Sequence, residues 1–310
     1  MSVTKLGLRG VNGRFRRRLE ELTAAGWQGR VGILVDTDQV QEDYRWANDS
    51  PAVREWKNGR KINPLTESGF ILVNKLYEAT IGVDVDDLRR DKWGQIMLKV
   101  DDLARRASEH WHELITAILE GNPVGYDGVS FFNSAHTAEG ESGAQDNDFS
   151  NADLGVAAAA APTNPTPAEM QSRIKATIQK ILAFKDTQGK PMNSGMQSAA
   201  IMVPANMWGA AQEAVKLSFI LEGGQTKNNL LAAPGVFNLE VIVNPRLASS
   251  TIFYMFRTDD VMKPIVLQRE LETTQEEDDS FYNNRILFGV KLLRNAAPLF
   301  WQQAAKITVS

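Results

Sequence analysis

Residues 93–123 read WGQIMLKVDDLARRASEHWHELITAILEGNP. From Trp93 the apolar side chains recur at Ile96, Met97, Val100, Leu103, Ala104, Ala107, Trp111, Leu114, Ile115, Ile118 and Leu119. The spacing is i, i+3, i+4, i+7 without a break, which predicts one long amphipathic helix. Asp86, Asp87 and Asp91 place negative charge where the helix dipole is positive. Gly121 and Pro123 are expected to stop the run. A helix over about 92–120 would be roughly 43 Å long at 1.5 Å per residue. Globular helices average about 11–12 residues, so this one reads as a spine on which other elements pack.

Upstream, residues 70–85 (FILVNKLYEATIGVDV) read as strand. Tyr77, Ala79, Ile81, Val83 and Val85 alternate with Glu78, Thr80, Gly82 and Asp84, the period of a sheet with one buried face. Residues 36–68 are polar and broken by Pro51, Asn58-Gly59 and Pro64, yet hold Tyr44, Trp46 and Trp56. Asn-Gly favours a hairpin turn, and tryptophans in polar sequence suit interface anchors, so a long hairpin or loop standing off the body is expected. Residues 1–30 carry seven bases against two acids, in a chain whose net charge is −4. With Gly7, Gly10 and Gly13 at its start and only Phe15, Leu19 and Leu22 at helical spacing, this segment reads as a mobile arm with one short helix. That stripe is too small to offset backbone ordering costs of about 1–2 kcal/mol per residue. The first third is therefore expected to borrow a surface from identical copies, and finding it folded on its own body would count against this reasoning.

Downstream, residues 122–166 are loop-rich. Thr166-Pro167-Ala168-Glu169 then forms a capping box that opens a helix with Met170, Ile174, Ile178, Ile181 and Leu182 on its buried face. Ala199–Val203, Leu239–Val243, Ile252–Phe256, Pro264–Leu267 and Arg285–Leu292 read as strands, Ala205–Lys216 as a helix, and Glu276–Asp279 as a solvated acidic turn. The class is α+β without regular βαβ alternation.

The composition excludes several chemistries. There is no cysteine among 310 residues, hence no disulfide, thiolate nucleophile or thiolate-bound metal. No apolar run approaches the roughly 18 residues of a membrane span, and the N-terminus lacks a signal-peptide core, so a soluble protein made without export is expected. No dinucleotide, P-loop, zincin or nucleophile-elbow motif occurs. His110 and His112 lie about 200° apart on the spine and cannot share a metal. Asp146, Asp148 and Asp153 lack the glycine and glutamate of a calcium loop, and Asp84, Asp86 and Asp87 read as N-terminal helix charge. Ser134, His136 and Asp127 leave a hydrolase triad as one alternative, with no mark of an activated nucleophile. No catalytic residue, cofactor or metal is expected. An arm, a projecting hairpin and a spine helix with so little catalytic equipment point to an assembly subunit.

Several strings resemble one family. Arg54-Glu55-Trp56 with Gly59-Arg60, Asn74-Lys75-Leu76-Tyr77-Glu78-Ala79-Thr80-Ile81, the acidic entry Asp86-Asp87 to Trp93-Gly94, and Tyr126-Asp127-Gly128 with Phe131-Phe132 and His136 are similar to the Mu-like phage major head protein (T protein) family. The entry differs from the family form in its intervening Leu88-Arg89-Arg90. The resemblance implies a Hong Kong 97-like phage major capsid fold. It divides the chain into an arm (1–43), an extended loop (44–76), a peripheral domain with the spine helix (77–121 and 259–310) and an axial domain (122–258). It implies a major capsid protein of a tailed double-stranded DNA phage or prophage, forming the hexamers and pentamers of an icosahedral virion shell in the host cytoplasm. The partners implied are other copies, a scaffold or maturation protease, a portal, packaged DNA held nonspecifically and a decoration protein, with no membrane. Arg16, Arg17, Arg18, Trp46, Arg54, Trp56 and Arg60 are the expected assembly contacts. An encapsulin-like nanocompartment shell of the same fold is the other alternative.

Overall fold

The computed structural model describes residues 3–44, 69–84, 93–137, 143–186, 189–222, 224–233, 235–280 and 285–310. In chain order the elements begin with α1 (Val3–Ala25), α2 (Gln28–Val31), β1 (Gly32–Asp36), β2 (Gln41–Asp43), β3 (Ile71–Val73), β4 (Lys75–Asp84) and the spine α3 (Trp93–Gly121). The short β5 (His136–Thr137), β6 (Ala144–Gln145), β7 (Asp148–Phe149) and α4 (Asn151–Leu154) precede α5 (Pro167–Ala183). Then come β8 (Ser198–Val203), α6 (Trp208–Lys216), β9 (Phe219–Glu222), β10 (Gln225–Asn228), β11 (Asn238–Val243), β12 (Ile252–Arg257), β13 (Ile265–Ser280), β14 (Arg285–Pro298) and β15 (Ala304–Thr308).

Two sheets share the spine. One has the order β1-β13-β14-β4, with a parallel β1–β13 pair and antiparallel pairs elsewhere. The other has the order β11-β8-β12-β15-β7, so the C-terminal strand β15 lies beside β12. The single stripe read from the sequence serves both layers. Ile96, Val100, Leu103, Ala104 and Ala107 bury against Phe288 and Val290 of the first sheet. Trp111, Ile115, Ile118 and Leu119 enter the larger core of the second sheet, with Met170, Ile174, Ile178 and Ile181 of α5. The capping box of α5 forms as its sequence requires: Thr166 Oγ1 accepts from Glu169 N, and Glu169 Oε2 accepts from Thr166 N at 2.7 Å. The helical run ends on Gly121 itself, and Asn122 takes the left-handed turn at φ +44°. Its amide holds that turn by bonding both the N–H and the carbonyl of Phe132.

Several expectations are corrected. The first segment is one 23-residue helix running through all three glycines. It lies on its own spine, with Val11 and Phe15 buried and Leu19 half-buried against it. Its stripe is small, but the groove between α3 and the first sheet supplies the other wall, so a mobile arm that must borrow a neighbour's surface is not what the described residues form. Tyr44, in the segment expected to stand off the body, is 1% exposed; it stacks on Phe70 and donates to Gln268 Oε1 at 2.8 Å. The strand expected over 70–85 is split at Asn74, whose N–H bonds the Val40 carbonyl. Glu276–Asp279 is strand rather than turn, because β13 and β14 continue their pairing to Ser280–Arg285. Asn58-Gly59 lies outside the described residues.

Candidate functional site

β2 and β3 pair antiparallel, Gln41–Asp43 with Ile71–Val73. This ladder brings the two ends of the segment 44–70 to one place, the geometry a projecting loop requires. Around it the apolar side chains Val40, Ile71, Val73 and Leu76 are exposed. A second exposed apolar group lies on and beside the β9–β10 hairpin, at Leu217, Phe219 and Leu221. Phe219 and Leu221 share a face because strand side chains alternate, while Ile220 between them turns inward. Such patches suit contact with other protein surfaces.

Of the expected contact residues, Arg16, Arg17 and Arg18 lie on the exposed face of α1. Arg18 pairs with Glu21 at 3.2 Å. The arginine of α1 that reaches the spine is Arg14, which bonds Asp101 with Nε to Oδ1 at 2.8 Å and Nη2 to Oδ2 at 2.5 Å. That bond holds the Asp101 carboxyl below its ordinary range. Trp46, Arg54, Trp56 and Arg60 lie outside the described residues.

The loop carrying Asp127 and His136 does not form a nucleophilic triad. The His136 ring is fully buried, stacked on Trp301 at 4.1 Å between centroids. Nδ1 meets Asp127 Oδ2 at 2.6 Å, and Nε2 meets Asn147 Oδ1 at 3.0 Å. Asn147 accepts from the Asn133 N–H on that same oxygen and donates Nδ2 to the Phe131 carbonyl, which fixes its amide orientation. His136 Nε2 must therefore be the donor, and a ring nitrogen that already carries its hydrogen cannot take one from Ser134. What the residues build is a polar knot joining the 122–137 loop to the C-terminal segment. Asn193 extends it, donating to the Ile181 and Gln302 carbonyls. Asn147 and Asn193 carry no motif, so their long-range partners are invisible in sequence.

The two spine histidines diverge as their spacing requires. His110 meets Tyr77 edge-on at 4.2 Å, whereas His112 stacks on Trp27 at 4.3 Å and bonds Gln28 Oε1 at 2.9 Å. Burial pushes both down to about 4. Among the described residues no group of three or more acids or histidines is placed to hold a metal, and no helix is long and apolar enough to cross a membrane.

Residues 5–161, just over half of the chain, match the family described as Mu-like prophage major head subunit gpT. The chain belongs to that family. It is 28% identical over 125 residues to the major capsid protein of Escherichia phage Mu, covering 39% of this chain and 40% of that protein. It is 25% identical over 108 residues to the Mu-like prophage FluMu major head subunit of Haemophilus influenzae, covering 34% and 35% respectively. These alignments span well under half the length of either curated relative. Among solved structures, the procapsid of bacteriophage JBD30 is similar at a TM-score of 0.54 and 16% identity, covering 100% of this chain and 77% of that one. The fold is thus Hong Kong 97-like, the fold of phage capsid proteins, as the resemblance implied. Family and fold are those of structural head subunits, and the buried His136 leaves the hydrolase alternative unfavoured.

Proposed function

We propose that this chain is the repeating subunit of an icosahedral head shell of a tailed double-stranded DNA phage or prophage, arranged as hexamers and pentamers around the genome. The match of residues 5–161 to the major head subunit family carries the reading, and the fold agrees with it. The role is mechanical: many modest contacts between copies add up to a closed shell. A subunit of this kind works in the virion and assembles in the host cytoplasm. Its further partners are a scaffold or maturation protease, a portal, nonspecifically held DNA and a decoration protein.

The division of labour we propose follows the two sheets. Residues 1–43 are the arm, of which α1 docks on its own spine and β1 pairs with β13, and 44–76 are the extended loop, beginning at the β2–β3 ladder. The peripheral domain comprises 77–121 and the return from 259, ending near 298, since β15 joins the five-stranded sheet. The axial domain is 122–258 together with that strand. Trp46, Arg54, Trp56 and Arg60 are the loop's anchors, and Arg16, Arg17 and Arg18 face a neighbour's acids or DNA.

Expression of the chain with and without its scaffold, followed by electron microscopy, tests the reading. Closed shells are expected; a chain that stays monomeric in every condition would overturn it. Trp56→Ala should remain soluble while shell yield drops, and normal particle yield would remove Trp56 from the contact set. An encapsulin-like shell would instead carry a protein cargo and no genome.

A further inference from the structure

Arg294, like Arg173, is a buried cation with no ion pair among the described residues, and unlike it lies opposite a second arginine. It lies on β14 under the spine helix and is only 4% exposed. Its Nε donates to His110 Nδ1 at 2.9 Å and its Nη2 to the Ala107 carbonyl at 2.6 Å. Its guanidinium carbon sits 4.5 Å from the centre of the Trp111 ring. None of these partners is an anion, and among the described residues Arg294 makes no ion pair. A buried charge without a counter-charge is strongly disfavoured, so an unpaired one calls for an explanation.

The surroundings deepen the deficit. In the sheet register Arg294 lies opposite Arg269 on β13 and opposite Lys75 on β4. Residues directly opposite share a face, and like charges there repel. Arg269 is held by Asp36 through both carboxylate oxygens, at 2.7 and 3.1 Å. The row Asp36–Arg269–Arg294–Lys75 thus sets three cations side by side. Burial lowers the Arg294 guanidinium to about 10, with Glu113 acting on it only through space.

A cavity of about 320 Å³ opens beside these groups. Its walls include Leu19 and Glu20 of α1, Trp111 of the spine, Leu292, and both Arg269 and Arg294. The volume is many times the roughly 30 Å³ share of one water, so a small polyatomic ion fits with solvent to spare. We propose that this cavity, between the arm helix, the spine and the β13–β14 hairpin, is a binding site for one oxyanion group, a carboxylate or a phosphate, held by Arg294 and Arg269. The bonds of Arg294 run through Nε and Nη2, which leaves its Nη1 donors for an oxyanion. Glu20 is the acid in the wall and opposes the occupant. The oxyanion comes either from free anion in solution or from a carboxylate side chain of a neighbouring copy; the chemistry of the site is the same.

Calorimetric titration of phosphate and of acetate into the unassembled full chain, at ionic strength matched with chloride, tests the site. Saturable one-site binding is expected. Arg269→Gln and Arg294→Lys should each weaken it by about tenfold or more, whereas Glu20→Gln should tighten it about threefold. Circular dichroism and melting curves establish that each variant is folded, and Arg269, partly exposed, carries the comparison if the buried Arg294 variant is not. Assembled shells then separate the two sources. Binding lost on assembly assigns the oxyanion to a neighbour's carboxylate, and binding retained assigns it to free anion; either upholds the site. No saturable binding to the unassembled chain, or equal binding in the folded variants, overturns the proposal. Because the first titration uses unassembled chain, its outcome does not depend on whether shells form.

Discussion

Phe15→Ala probes the docking of the arm helix most directly. Phe15 is 1% exposed and belongs to the cluster of Ile96, Val100, Leu103 and Ala104 on the spine with Phe288 and Val290 on β14. Truncating a buried Phe in a rigid core costs about 3–5 kcal/mol, transfer and cavity together. Here the helix can lift off and avoid the cavity, so the loss falls toward the transfer term of about 1.5–3 kcal/mol. The Arg14–Asp101 pair, with its arginine side chain 43% exposed, is screened by solvent and cannot hold the helix alone. Opening of α1 should thus become easier by about 2–3 kcal/mol, a factor of roughly 30–150. Trypsin cleavage at Arg14, Arg16, Arg17 and Arg18, or hydrogen exchange of the α1 amides, reads that factor. Arg16→Ala, on the exposed face, is the control and should change protection little. If Phe15→Ala leaves α1 as protected as the control does, the helix is not held by this groove and the packing argument fails.

Two further outcomes are expected. Gly10 and Gly13 sit inside α1 at ordinary helical φ with open space where a Cβ would stand, so Gly10→Ala and Gly13→Ala should each stabilise the helix by about 0.5–1 kcal/mol and slow the same cleavage. His110 and His112 have an ordinary value of 6.5 and are pushed by burial to about 4 in the folded chain. Between those values the unfolded chain binds protons that the folded chain does not, so stability is complete above about pH 6.5 and declines as pH falls toward 4. Asp101, held below 3.8 by Arg14, loses its contribution only at lower pH, so the windows are distinct. His112→Phe keeps a ring against Trp27 and should flatten the decline between pH 6.5 and 4 in denaturant melts; an unchanged slope would remove His112 as its source.

An arm unable to satisfy itself was a reason to expect partner surfaces, yet the described arm buries Val11 and Phe15 in its own molecule. Family and fold now carry the reading, together with the exposed apolar groups at the β2–β3 ladder and the β9–β10 hairpin. Docking of α1 on its own spine also leaves Arg16 and Arg17 facing outward.

Local features are legible in the chain of residues alone. The apolar stripe of the spine, the Thr166–Glu169 capping box and the alternation of 77–83 each depend on residues within a few positions of one another, and each forms as read. The α+β class and the resemblance to a head-protein family followed from the same short strings. The tertiary structure decided everything whose partner lies far along the chain. Arg14 finds Asp101, Arg269 finds Asp36, and Asn193 reaches the carbonyl of Gln302. Whether α1 is free or docked, whether an acidic run is turn or strand, and whether His136 is a base or a buried donor depend on surfaces that meet only when the chain closes. A helical period records which face of a segment is apolar, but the identity of the wall it meets is set by topology.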